Sequence, residues 1–378
     1  MTGNYLTEDY LKRIHGVIGE WLQPKNRDLS EAIDRTVKEG YFSFADISHQ
    51  LRSLKKRVTL ESLAAWSEKN RLVPGELAGR KALCLHAGNL PFVGFQDFLA
   101  CLITGIQYTG KISRKDPYLL PSLLKTLKTN GVGAGAKSVA GVSDSGDEEG
   151  MTWSTDIDSL FGANADCVLF SGSGRSVKQV RRRIGELKLA KPEADYLVRT
   201  AHFSLAYIDS EDPKTMQDLT EAVFRYGGKG CRSVAVVISP YEFEKVKCSF
   251  TDYIESFWLK NPQHNKPQLS LFYRYAYNKA VGHSQSWLDD FLIEETTEAP
   301  DHDFVLHWVT GDEQTIPYFI SQYGSGLQSV YVIRKGADIS GLDKKCEMLS
   351  TAQNPPIDWE PDGIDTIEWL LDRFRDST

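Results

Sequence analysis

The stretch that most constrains this chain begins at Lys81. ALCLHAGN, residues 82–89, reads as a short buried strand running into a turn. Pro91 follows where a first helical turn tolerates it, and the apolar helix runs to Gly105. GIQYTGKIS is a second strand candidate, and Asp116-Pro117 opens a helix that stops near Gly131. Strand, helix, strand, helix in this order is the signature of a parallel α/β sheet.

The same texture returns downstream. ADCVLFSGSGRSVKQVRRRI gives a strand, a GSG turn and a helix. HFSLAYIDS is another strand, followed by a helix from about Pro213 to Phe224. Cys231 opens the strand SVAVVIS, and two amphipathic stretches follow, around Tyr241–Leu259 and Leu269–Val281. DFVLHWV and SVYVIRK fit further strands, and GIDTIEWLLDRF fits a closing helix. The first 75 residues look helical instead: Leu6, Tyr10, Ile14, Val17, Ile18 and Trp21 recur near helical spacing. Asp28 is placed to cap a second helix ending at Gly40, and Thr59 to cap a third carrying Leu60, Leu63, Ala64 and Trp66. Residues 132–150, rich in Gly, Ser and acid, read as a mobile loop or a weak connection.

A chain of 378 residues has room for two domains of roughly 150–200 residues each. Its net charge of −7 argues against a broad face for nucleic acid, and Arg181-Arg182-Arg183 reads as a solvated helix face. The N-terminus has no secretory apolar core, and no run approaches the ~18–20 apolar residues of a membrane span. Cys84, Cys101, Cys167, Cys231, Cys248 and Cys346 form no CxxC pair, so no zinc site or redox dithiol is signalled. A reducing cytoplasm is the expected compartment.

Two segments about 140 residues apart carry candidate chemistry, HAGNLPFVGFQDFLACLITG and YGGKGCRSVAVVISP. Cys231 follows Gly227, Gly228, Lys229 and Gly230 and precedes Arg232. Glycines let a substrate approach the backbone, and nearby cations favour a thiolate. The alternative is a buried cysteine at a strand start. Asn89 offers a side-chain amide for a developing oxyanion, and asparagine is also among the best helix N-caps. Ser171-Gly172-Ser173-Gly174 sits between strand and helix, where free N–H groups suit a pyrophosphate. It lacks the third glycine of the dinucleotide fingerprint and reads equally as a plain loop. Lys111, Arg114 and Lys115 flank another strand end, as a phosphate grip or a solvated edge. His202 and His264 have no metal-ligand spacing and read as structural.

Taken together, AGNLPFVGFQDFLACLITG, KISRKDPYLLPSLL, YGGKGCRSVAVV, HNKPQLSLFYRYAYNKA and DGIDTIEWL make the chain resemble the acyl-CoA reductase family of the aldehyde dehydrogenase superfamily. The resemblance implies an α/β, aldehyde dehydrogenase-like fold: two parallel-sheet α/β domains with an N-terminal helical segment. It implies a nucleotide-binding domain over 1–200, a catalytic domain over 201–340 and a segment 341–378 packing back on the first, with the active site between the domains. By position Cys231 matches the family nucleophile and Asn89 the asparagine that steadies the oxyanion. Lys111 matches the lysine near the adenosine ribose, and Ser171, Gly172 and Ser173 the turn beside the pyrophosphate. Glu295, in FLIEETTEAP, is the nominee for the nicotinamide ribose. The expected reaction is reduction of an acyl-CoA or acyl-carrier thioester to an aldehyde, by a monomer or homodimer that works beside an acyl-transferring protein partner.

Two departures from the wider superfamily sharpen this reading. The segment matching the glutamate base of hydrolysing aldehyde dehydrogenases is RTAHFS, which holds no carboxylate. That suits an acyl-enzyme exchanged with a thiol, and equally a degenerate copy. Where NAD-dependent enzymes often place a glutamate three positions after the lysine, this chain has Arg114. A guanidinium suits a 2′-phosphate, so NADPH (NADP) is expected over NADH.

Overall fold

A computed structural model describes residues 2–73, 75–133, 150–262, 266–301, 303–334 and 346–375, with side chains from Glu8 onward. The expected loop over 132–150 lies almost wholly outside these residues, as does His264. The chain divides into two units, Met1–Thr200 with Pro356–Thr378, and Ala201–Pro355.

The first unit is built on five parallel strands: β1 (Lys81–Leu85), β2 (Gln107–Lys111), β3 (Met151–Ser154), β4 (Ala165–Ser171) and β5 (Ala190–Arg199), in the order β3-β2-β1-β4-β5. A parallel sheet is covered on both faces, so its central strands carry unbroken apolar runs. In β1, Ala82 and Cys84 enter one core while Leu83 and Leu85 enter the other. Helix Phe95–Thr104 is buried along nearly its whole length, which is why its sequence is apolar on every side. It starts later than Pro91: Phe92 takes φ 60, outside helical range, and Gly94 becomes the N-cap.

Four helices precede the sheet, Thr2–Trp21, Arg27–Lys38, Phe44–Arg57 and Leu60–Lys69. Asn26, not Asp28, caps the second, because its side chain accepts from the N–H of Leu29. Phe44–Arg57, capped by Ser43, was not foreseen. Thr59 caps the fourth through a reciprocal box with Ser62. Helix Thr366–Arg375 returns to this unit and buries Ile367, Leu370 and Leu371 in the core of the N-terminal helices. Ahead of it Asp365 accepts from Trp66 Nε1 at 3.0 Å, Lys69 Nζ at 3.0 Å and Asn70 Nδ2 at 3.2 Å.

The second unit holds a seven-stranded sheet: β6 (Phe203–Tyr207), β7 (Val234–Ser239), β8 (Gln285–Leu288), β9 (Phe291–Glu295), β10 (Val305–Thr310), β11 (Leu327–Val332) and β12 (Cys346–Met348). The order is β12-β11-β6-β7-β10-β9-β8, parallel except for the β8–β9 hairpin. Successive residues again alternate between two cores, Ala206 and Val237 on one face, Leu205 and Val236 on the other. The boundary expected at 341 lies outside the described residues. Residues 346–355 stay with the second unit, because β12 pairs with β11, and the returning segment begins at Pro356. No helix among the described residues is long and apolar enough to cross a membrane.

Candidate active site

The order β3-β2-β1-β4-β5 reverses direction between β1 and β4. In doubly wound sheets ligands bind beyond the carboxyl ends of the strands at such a switch point. Leu85 pairs with Lys111 and with Phe170, so β1, β2 and β4 end level. The loop holding Asn89 leaves β1 there, and the Ser171-Gly172-Ser173 turn leaves β4 on the other side of the switch.

Asn89 is exposed, five residues before the N-cap Gly94, so helix capping does not account for it. Its loop is fixed at both ends. His86 is buried, its Nε2 lies 2.7 Å from the Tyr108 hydroxyl, and its backbone N–H donates to Lys111. Burial holds this imidazole neutral, with its pKa lowered to about 4. A side chain at Gly94 would fall 2.3 Å from the His86 ring. Phe92 donates its N–H to the Asp116 carboxyl at 2.9 Å.

Lys111, Ser113, Arg114, Lys115, Thr155 and Ile157 line a cavity of about 390 Å³ beside the ends of β2 and β3. Lys111 is half-buried. That burial, and then the neighbouring Arg114 charge, hold its amine below the usual lysine range, opposed by Asp156. Three cations around one cavity suit a phosphate. The Ser171-Gly172-Ser173 turn departs from expectation in one respect: the Gly172 N–H is not free but donates to Arg199 O at 3.1 Å. What glycine supplies here is space, since a Cβ would meet the Phe170 ring at 2.6 Å. Ser173 bonds to Ser176 through their hydroxyls.

In the second unit Cys231 is half-buried in the turn before β7. Tyr226, Gly227 and Gly228 all have positive φ, and a Cβ on Gly228 would press on Val223 O at 3.2 Å and the Phe291 ring at 3.3 Å. The Cys231 carbonyl accepts from Ser204 Oγ at 2.9 Å. By contrast Cys84, Cys101 and Cys167 are buried, and burial pushes the thiols of Cys84 and Cys167 well up. Glu295 ends β9 with its side chain exposed. Its neighbour Glu294 is the buried one, held by Arg274 at 2.7 Å and by Asn278.

The sequence model of the family described as acyl-CoA reductase (LuxC) matches residues 53–246, just over half of the chain. The chain belongs to the acyl-CoA reductase family. No curated protein matches it in sequence. Among solved structures it is similar to aldehyde dehydrogenase 21 from Physcomitrella patens in complex with the reaction product succinate, at 13% identity over 98% of this chain and 84% of that one, TM-score 0.62. It is also similar to bifunctional proline utilization A, at 13% identity and TM-score 0.59, covering 86% of this chain but only 36% of that one. A third similar structure is NADP-dependent glyceraldehyde-3-phosphate dehydrogenase from Bacillus halodurans C-125 complexed with NADP, at 14% identity over 91% and 82% of the two chains, TM-score 0.50. At these identities the likeness shows the fold, which is that of the aldehyde dehydrogenases. Family membership places the chain among the oxidoreductases that reduce acyl groups to aldehydes.

For this acyl-CoA reductase family member, two details around the cysteine go beyond the sequence reading. Arg232 is buried and bonded bidentately to Glu347, at 3.1 and 2.7 Å, and to the carbonyls of Thr351 and Ala352. Burial opposes its charge, but Tyr331, Glu347 and Cys231 together hold its pKa above the usual arginine value. Next to Cys231 the chain thus holds a buried guanidinium already paired with a carboxylate. Lys229 places its ammonium 5.6 Å from the centre of the Phe304 ring. In the RTAHFS segment Arg199 is buried against Asp97 and Thr366, and the Thr200 N–H donates to Asp362. Sequence reasoning missed Asp116, Ser204 and Glu347. Each acts on a residue at least 24 positions away, and no local pattern announces such a pairing.

Proposed function

We propose that the chain reduces an acyl thioester, on CoA or a carrier protein, to the aldehyde through an acyl-enzyme on Cys231, with NADPH as reductant. The observation that carries this reading is the Cys231 turn: a half-buried thiol that follows three residues held at positive φ, Tyr226 to Gly228, and stands beside the buried Arg232. The Cys231 thiolate attacks the thioester carbonyl, and the C–S bond to the leaving thiolate breaks. Asn89 donates its amide N–H to the oxygen that becomes negative. One thioester replaces another, so the exchange needs alignment more than driving force. Reduction of the acyl carbon then gives a thiohemiacetal, which collapses to aldehyde and regenerates the thiolate.

The cationic cavity fits a nucleotide phosphate. Lys111 and Arg114 would hold it, with Arg114 meeting a 2′-phosphate, and Ser171, Gly172 and Ser173 would border the pyrophosphate. Glu295 is kept as the nominee for the nicotinamide ribose. When bound, the cofactor supplies the hydride. Since RTAHFS carries no carboxylate, a water-activating base is missing from that segment, which supports transfer to hydride or thiol rather than hydrolysis.

The test follows NADPH absorbance with a panel of acyl-CoAs, wild type beside Cys231→Ala, and repeats the active pairs with NADH. Loss of absorbance that requires both the thioester and Cys231, and favours NADPH, is expected. Thioester cleavage without NADPH oxidation would make the protein an acyltransferase or thioesterase. Inactivity of a folded wild type towards every thioester would leave a partner-dependent or non-catalytic subunit.

A further inference from the structure

We infer that Asp116 is the positioning residue of the Asn89 loop, and that it ties this loop to the segment lining the cationic cavity. The inference rests on reading Asn89 as the oxyanion donor. Phe92 stands at φ 60, a conformation that costs a non-glycine residue about 1–3 kcal/mol. Such strain persists only where the surroundings impose it. Here the Phe92 ring is 1% exposed and packs edge-on to Trp21, with centroids 5.4 Å apart. Trp21 is itself anchored, donating Nε1–H to Ser122 Oγ at 3.0 Å. The Phe92 N–H, turned by that φ, donates to Asp116, whose side chain is 5% exposed. Burying a carboxyl is costly, and this chain does so where the strained residue needs an acceptor.

Asp116 also faces the other way. Its own N–H donates to Ser113 O at 3.2 Å, and Ser113 lines the cationic cavity. The two loops touch again at Gly88, where a Cβ would lie 2.1 Å from Ser113 Oγ and 3.0 Å from Lys115 Cβ. Asn89 thus stands between two pinned points, Gly88 and Phe92, with only Leu90 and Pro91 besides. Displacing an oxyanion donor by about 1 Å is enough to cost on the order of 100-fold in rate.

The experiment compares wild type, Asp116→Ala, Asp116→Asn, Asn89→Ala and the Asn89→Ala/Asp116→Ala double variant. Acyl-CoA reduction is read as separate kcat and KM, with far-UV circular dichroism as the check of fold. Asp116→Ala is expected to lower kcat about 10- to 100-fold with KM changed less than about threefold. Asp116→Asn keeps an oxygen for the Phe92 N–H and should restore most of kcat. In the Asn89→Ala background, Asp116→Ala should cost less than about threefold, because the donor it positions is gone. Full kcat in folded Asp116→Ala, or additive losses in the double variant, overturns the inference. Full activity of Asn89→Ala sinks the oxyanion reading instead. If Asp116→Ala does not fold, Asp116→Glu replaces it, since the added methylene displaces the acceptor while keeping a carboxyl. Unchanged kcat in folded Asp116→Glu would count against the inference.

Discussion

His86 follows β1 with its imidazole out of water, and Asp116, in the segment after β2, is buried against Phe92 at the far end of that loop. Their protons pull stability in opposite directions. The His86 pKa falls from 6.5 to about 4 on folding. Between those values the unfolded chain binds a proton that the native state refuses, so this contribution is lost as pH drops from 6.5 towards 4. Burial raises the Asp116 pKa from 3.8 to about 7, with the N–H groups of Phe92 and Leu119 pulling the other way. There the native state keeps a proton that the unfolded chain has released, so stability falls as pH rises from 3.8 through 7. Each contribution is worth up to a few kcal/mol, and they largely offset each other between about pH 4 and 6.5. Urea unfolding from pH 4.5 to 7.5 should therefore show a more acid-sensitive Asp116→Asn and a less acid-sensitive His86→Gln than wild type. Identical pH profiles in all three proteins would show that neither group is held as described. At this scale the sequence was a partial guide. Asn89 and Cys231 stood out because glycine and proline punctuate their segments. Whether Asn89 capped a helix could not be read, since the answer turned on the φ of Phe92 three residues on. The partner of Arg232 was invisible because Glu347 lies 115 residues away.

Among elements, the turn before β7 is constrained in two ways at one residue. Gly228 combines φ +71 with close approach to a carbonyl and a ring. Gly228→Ala should cost about 1–3 kcal/mol and displace the turn that holds Cys231. Urea unfolding and the rate of Cys231 alkylation would report the two effects, and an unchanged midpoint would remove the argument for strain. Several central strands were legible because burial on both faces leaves them apolar end to end, as in β1, β4, β6 and β7, whereas β9, interior but only five residues long, was missed. Edge strands were not. β5 carries exposed Pro192, Glu193 and Asp195, and it lacks the apolar run of a buried strand. β8 and β12 are edge strands of four and three residues, too short to show a period. Helix Phe44–Arg57 was missed for another reason: only Ile47, Ser53 and Leu54 are buried, so its apolar stripe is thin.

At the scale of the molecule, Asp365 links the two chain segments of the first unit. Burial works against its charge, yet bonds from Lys69, Trp66 and Asn70 prevail and keep its carboxyl below the usual aspartate range. Removing it leaves Trp66 Nε1 without this acceptor and Lys69 with Glu360 alone. Asp365→Ala should therefore lower the stability of the first unit by about 3 kcal/mol. Hydrogen exchange should speed up in β1 and β2 while β6 and β7 keep their protection. Uniform acceleration in both units would mean that they unfold as one. The segment over Pro356–Thr378 has a consequence in time as well. A ribosome delivers residues in order, and all of Ala201–Pro355 emerges before Ile367, Leu370 and Leu371 reach the core they complete. The unit begun first is thus completed last, and until then its core lacks the apolar side chains that close it.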